Sequence, residues 1–326
     1  MTLTHLRSAP PGSRGYCRGL WKAQAAAGFR PILLGDAAHL EEALGQPPAP
    51  YVHLVKVSSH AAFLGDVLRE AALPNDTLVV YHDALDVLAL GGPAPLFDCL
   101  SAAWCARRMA PQRGVYFLGE RSLWPPSCRY VDAGRSWCND HPELAPLPLY
   151  PNLTEPGGSP DYAFINSGMY AGSPPALHAM LAAALAQSAA TGSGDDQELF
   201  NDLATNFPPW RAHFQLDTRQ VCFGSAHRSG EHYSREPASG RWRNALTGGA
   251  PLLMHFNGGG KEWMPAAVEA AAGVAEEWGG AQLAPARLLL WGTGLATSRD
   301  APMSEVCGAE GAAGPGGRAA QEGAPQ

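Results

Sequence analysis

No run in the sequence approaches the roughly 18 consecutive apolar residues that a membrane helix needs, so no span is expected. None of the seven cysteines forms a Cys-x-x-Cys pair, which argues against a zinc ribbon or a thioredoxin-like centre. Basic charge is not in excess. The formal net charge is -7 and the pI near 5.9, whereas a sequence-independent grip on nucleic acid needs a basic face. The opening MTLTHLRSAPPGSRG lacks the apolar centre of a secretory signal, and no internal repeat is visible. The final stretch, from about Ser298, lacks core-forming residues. Gly, Ala, Pro and Glu predominate there, which predicts a disordered tail at 298–326 after a short extension at 281–297.

What is present is enough for a full core. The chain has 326 residues, 46% hydrophobic and 16% charged, and residues 1–280 read as one domain. Candidate strands at 2–6, 30–34, 52–57 and 78–81 alternate with candidate helices at 16–27, 38–44 and 60–72, a pattern that predicts a mostly parallel α/β sheet flanked by helices. Cys128 and Cys138 bracket a loop and would suit a local disulfide in a secretory compartment, which the sequons at Asn75 and Asn152 also fit.

The most informative stretch is TLVVYHDALDVLALGG, residues 77–92. Leu78, Val79, Val80 and Tyr81 form the apolar run of a strand covered on both faces, and the run ends in Asp83 and Asp86. In open α/β sheets the ligand site lies beyond the carboxyl ends of such strands, and two hard oxygen donors there suit a divalent ion against a diphosphate. A capping turn would carry the same residues. Three further stretches bear on chemistry. In YAFINSGMYAG, Asn166-Ser167-Gly168 offers small polar groups and a backbone that a sugar can approach closely. Asp195 and Asp196 open a helix, where acidic residues also belong simply as caps. His255 closes an apolar strand before Asn257-Gly-Gly-Gly-Lys261, and a histidine there is either a metal ligand or a structural group. The glycine turn and Lys261 could meet phosphates.

Taken in order, Asp83-Ala-Leu-Asp86, Glu120 with Trp124-Pro125, Asn166-Ser-Gly168, Asp195-Asp196-Gln197, Leu216-Asp217 and His255-Phe-Asn257-Gly258 resemble the glycosyltransferase domain of the multifunctional procollagen lysyl hydroxylases. The resemblance implies a GT-A fold, Rossmann-like and single-domain, using a UDP-sugar and Mn(II). It implies metal ligation by Asp83, Asp86 and His255 and a diphosphate turn at Asn257, Gly258 and Lys261. It places Glu120, Trp124, Asp195 and Asp196 beside the transferred sugar and the acceptor groove, with Asn166 lining the donor site. The implied partners are a UDP-hexose and a hydroxyl acceptor such as hydroxylysine or galactosylhydroxylysine of a collagen-like chain, with no nucleic acid, and the implied compartment is the secretory lumen. With no signal visible, the cytoplasm stays open as an alternative. Leu85 departs from the family's tyrosine, a gapless count puts His60 where relatives carry a lysine, and the segment from Pro125 to Pro160 is longer. A non-catalytic UDP-sugar or carbohydrate-binding relative is the alternative. A lysyl hydroxylase would need a second, iron-binding domain for which the chain has no length.

Overall fold

The computed structural model describes residues 2–5, 20, 23–24, 26–29, 31–34, 52–74, 77–83, 86–106, 109, 113–124, 131–132, 135–136, 153, 158–237, 239–277, 287–291 and 299–302. The candidate helix at 38–44, Leu85, Cys128, Cys138, both sequon asparagines and residues 303–326 lie outside them.

A mixed sheet of eight strands forms the body. Its strands are β1 (Thr2–His5), β2 (Pro31–Leu34), β3 (Val79–Asp83), β5 (Val115–Glu120), β8 (Phe164–Gly172), β9 (Phe214–Asp217), β14 (Arg287–Trp291) and β15 (Arg299–Pro302), in the order β15-β14-β2-β1-β3-β8-β5-β9. Six strands run one way, and only β8 and β15 run against them. The architecture is thus α/β with a mostly parallel sheet. Strands β14 and β15 fall within the segments whose composition suggests an extension and a tail. The apolar Leu288-Leu-Leu-Trp291 run is long enough to pair beside β2, and β15 then covers the edge this leaves.

Alternation along the central strands builds two cores. Val79, Tyr81, Val115, Phe117 and Tyr170 face helices α1 (Val52–Arg69), α3 (Pro174–Thr191) and α4 (Asp196–Asn206). Val80, Tyr116, Leu118, Met169 and Ala171 face α2 (Pro93–Ala106) on the other side. Helix α3 is capped by Ser173, whose hydroxyl accepts from Ala176 N, and ends at left-handed Gly192.

The expected strand at 52–57 is instead the opening of α1. Val52-His-Leu-Val-Lys-Val is rich in β-formers, but Val57, Ala61, Leu64 and Val67 recur at helical spacing and pack on the sheet. β1 pairs directly with β3, which leaves no slot for a strand between them.

A smaller sheet carries the rest of the site. It contains β10 (Phe223–Ser225), β13 (Leu253–His255) and β4 (Val87–Ala89), with β13 parallel to β10 and antiparallel to β4. Cys99 of α2 is joined by a disulfide to Cys222, at the entry to this sheet. A third core, with Leu88, Met254, Phe256 and Tyr233, lies beneath it. Peripheral two-stranded ladders pair β11 (Tyr233–Arg235) with β12 (Trp242–Asn244), and β6 (Val131–Asp132) with β7 (Arg135–Ser136). Two further helices are α5 (Pro208–Arg211) and α6 (Met264–Glu277). Among the described residues no helix is long and apolar enough to cross a membrane.

Candidate metal and donor site

Three elements deliver the predicted metal ligands. Asp83 ends β3, Asp86 stands just before β4, and His255 ends β13. The β4–β13 pairing sets His255 opposite Val87, and Phe256 N donates to the Asp86 carbonyl at 2.7 Å. One ligand atom from each side chain lies within 4.8 Å of the others. His255 Nε2 is 3.3 Å from Asp86 Oδ1 and 3.6 Å from Asp83 Oδ2. Asp86 Oδ1 and His255 Nε2 are buried and have no hydrogen-bond partner beyond the ion pairs within the ligand set, so a cation entering there displaces only those contacts. Gly168 forms the floor: a Cβ there would lie 2.1 Å from His255 Cε1 and 2.8 Å from Asp83 Oδ2. Two carboxylates and an imidazole around a space that only glycine leaves open fit a divalent ion.

The imidazole is held from behind. Its Nδ1 donates to Asn166 Oδ1 at 3.1 Å, and Asn166 Nδ2 donates to Glu120 Oε2 at 3.0 Å. That arrangement turns Nε2 toward the carboxylates. Burial opposes charge on His255, but Asp86 and Asp83 outweigh it and raise its pKa to about 9. Asp83 is held far below the ordinary carboxylate range: burial works against ionisation, and Lys56 and His255 overcome it.

Asn166 reaches His255 because β8 bulges. Phe117 pairs with Tyr170 and Leu118 with Asn166, so residues 167–169 bow out unmatched by β5.

Glu120 stands at a crossing of amides. Besides Asn166, Asn257 Nδ2 donates to its Oε2 at 2.7 Å, and Gln197 Nε2 donates to Oε1. Burial pushes its pKa up to about 7 against the pull of these donors. The side chain is thus a buried brace between β5, β8, α4 and the glycine turn. Gly258 in that turn has φ +49°, and a Cβ there would meet His227 Nδ1 at 2.5 Å. His227 Nδ1 accepts from Gly259 N at 3.3 Å. Lys261 lies 3.5 Å from Asp86 Oδ2.

The acidic pair is committed to partners. Asp195 caps α4, accepting from Glu198 N at 2.9 Å. Asp196 is buried, ion-paired through Oδ2 with Lys56 and through Oδ1 with His53 at 3.3 Å. Burial and the neighbouring Asp196 raise the Asp195 pKa, whereas Lys56 and His53 outweigh burial and lower that of Asp196. Trp124 is exposed and anchored by its carbonyl, which accepts from Asn201 Nδ2 of α4 at 3.1 Å.

Sequence reasoning missed Lys56. Its Nζ sits 3.2 Å from Asp83 Oδ1 as well as against Asp196, so one ammonium joins the metal carboxylates to the acidic pair. The chain has three lysines, Lys22, Lys56 and Lys261, and two of them converge here. The position singled out by counting, His60, lies one helical turn beyond Lys56 in the same helix. Reading α1 from residue 52 would have found it. His53 and His227 are not singled out from sequence either, and Gln197 stands there only as part of a motif, with no role.

No protein-family model matches the chain, and none of the curated proteins does. Among solved structures it is similar to a glycosyltransferase involved in glycosylation of the major capsid of PBCV-1, at 10% identity and a TM-score of 0.43, covering 82% of this chain and 100% of that one. It is also similar to the galactosyltransferase LgtC in complex with donor and acceptor sugar analogs, at 13% identity and a TM-score of 0.43, covering 85% and 96%.

Proposed function

We propose that the chain is a Mn(II)-dependent glycosyltransferase of GT-A type that moves a hexose, glucose or galactose, from a UDP-sugar to a hydroxyl acceptor. The observation that supports it most is the convergence of Asp83, Asp86 and His255 over Gly168, beside a glycine turn ending in Lys261. Mixed carboxylate and imidazole ligation favours Mn(II) over Mg(II). When bound, the ion supplies Lewis-acid stabilisation of the departing diphosphate.

In this reading the protein's own groups do the rest. Asn166 holds His255 in the tautomer that ligates. Asn257 and Gly258 offer the turn to the diphosphate, and Lys261, exposed over most of its side chain, moves from Asp86 to phosphate oxygen. Glu120 keeps Asn166 and Asn257 in register. Asp196, which shares Lys56 with Asp83, and its chain neighbour Asp195 are the carboxylates offered where an oxocarbenium-like sugar develops. Trp124 provides an exposed ring for an acceptor sugar. The motif order supports hydroxylysine or galactosylhydroxylysine of a collagen-like chain as acceptor. The Cys99–Cys222 disulfide supports an oxidising compartment.

The test is UDP release from UDP-glucose and UDP-galactose, with Mn(II) or with chelator, for wild type and the Asp83→Ala, Asp86→Ala double variant. Metal-dependent release by wild type and background release by the variant are expected. Equal release by the two would overturn the proposal, and UDP binding without release from either donor would favour a binding module.

A further inference from the structure

Lys56 carries an inference that rests on the cation-site reading above. Each metal carboxylate divides its oxygens between two directions. Asp83 Oδ2 and Asp86 Oδ1 face His255 Nε2, whereas Asp83 Oδ1 takes Lys56 at 3.2 Å and Asp86 Oδ2 takes Lys261 at 3.5 Å. The two lysines differ in freedom, with side-chain exposures of 10% and 61%. Lys261 can leave; Lys56 is enclosed.

Lys56 is also shared. Its second partner, Asp196, has a side chain only 2% exposed. Tyr81 independently donates its hydroxyl to Asp83 Oδ1 at 2.7 Å, so the carboxylate keeps its orientation without the ammonium. A divalent ion arriving at Asp83 Oδ2 meets a carboxylate already half-neutralised, and is repelled by the fixed charge behind it.

We propose that the Lys56 charge holds down the site's affinity for its divalent ion, and that Asp196 sets how strongly by drawing the ammonium away from Asp83. A weakly held ion exchanges with the diphosphate product rather than staying locked between turnovers. Lysine suits the role because it is a compact point charge; the planar guanidinium of arginine would reach both carboxylates differently.

The test is Mn(II) binding to the full chain without nucleotide, by titration calorimetry and by the spin-resonance signal of free Mn(II). Lys56→Met is expected to bind about tenfold tighter or more. Asp196→Asn, which leaves the ammonium wholly to Asp83, is expected to bind several-fold weaker. The two effects must have opposite sign, because general loosening of the site would weaken both. Lys56→Met no tighter than wild type, while Asp86→Asn abolishes binding, overturns the role of Lys56 and leaves the cation site standing. If wild type binds no Mn(II), or Asp86→Asn binds it equally well, the cation site itself fails and the proposal falls with it. Should Lys56→Met lose its circular dichroism spectrum, Lys56→Gln, which removes the charge but can still hydrogen-bond Asp196, takes its place, and affinity no tighter than wild type refutes the proposal.

Discussion

Replacing Gly168 with alanine puts a methyl group where the three ligands meet. The added Cβ would stand 2.1 Å from His255 Cε1, against 3.4 Å for the start of ordinary contact, so the imidazole must retreat by about 1.3 Å. It has little room to do so. Nδ1 is bonded to Asn166, and the His255 backbone is paired with β4 on one side and β10 on the other. Metal ligands tolerate errors of only about 0.2 Å. A displacement several times larger should weaken Mn(II) binding by about ten- to a hundredfold, the range seen when support behind a ligand is lost. The overpacking itself costs about 1–3 kcal/mol. In a domain of this size each kcal/mol lowers Tm by roughly 2–4 °C, so the variant stays folded and melts a few degrees early. Calorimetric titration with Mn(II), beside a thermal melt, reads both effects. Gly259→Ala is the control, since a Cβ there meets nothing within 4 Å. Wild-type Mn(II) affinity in Gly168→Ala would mean that no ion sits between Asp83 and His255.

Two further outcomes follow from groups around the same site. His255 carries a proton up to about pH 9, against an ordinary value of 6.5, so Mn(II) binding near pH 7.5 should release close to one proton, and fewer as pH passes 9. Titration in two buffers of different ionisation heat measures this; zero release at pH 7.5 would remove His255 from the ligand set. In the metal-free protein the same shift stabilises fully below pH 6.5, and that contribution fades as pH rises through about 9. The Cys99–Cys222 bond closes a separation of 123 residues, and its removal by Cys99→Ser with Cys222→Ser should cost about 2–5 kcal/mol. An unchanged urea midpoint would show the bond to be dispensable.

The parts of the site that could be read from sequence are those a short window contains. A strand buried on both faces is a continuous apolar run, so residues 78–81 announce β3, and Asp83 follows as its terminus. His255 is marked in the same way by the end of β13. What brings Asp86 and His255 together is a ladder between β4 and β13, whose partners are more than 160 positions apart, and no local pattern encodes that pairing. Lys56 was hidden by propensity: a β-branched run opens α1, and burial against α3 overrides its preference. Asp195 and Asp196 show the opposite ambiguity, since one observed role, capping, uses the same residue types as catalysis. The disulfide was unreadable because seven cysteines permit many pairings, and the pair realised joins a helix to a distant loop.

The bulge in β8 changes the parity of the strand. Ile165 and Tyr170, five positions apart, face the same helical layer, which an unbroken strand of alternating side chains forbids. The odd insertion at 167–169 therefore splices two frames: the later one fills the core, and the earlier one turns Asn166 to the side of Leu118 and Glu120, where it meets His255. Point substitutions across this strand leave the frame intact. Loss or gain of a single residue in the bulge inverts everything before it, sending Asn166 into the hydrophobic layer and Ile165 into the site. In this strand, drift in length is therefore more hazardous to the site than drift in composition.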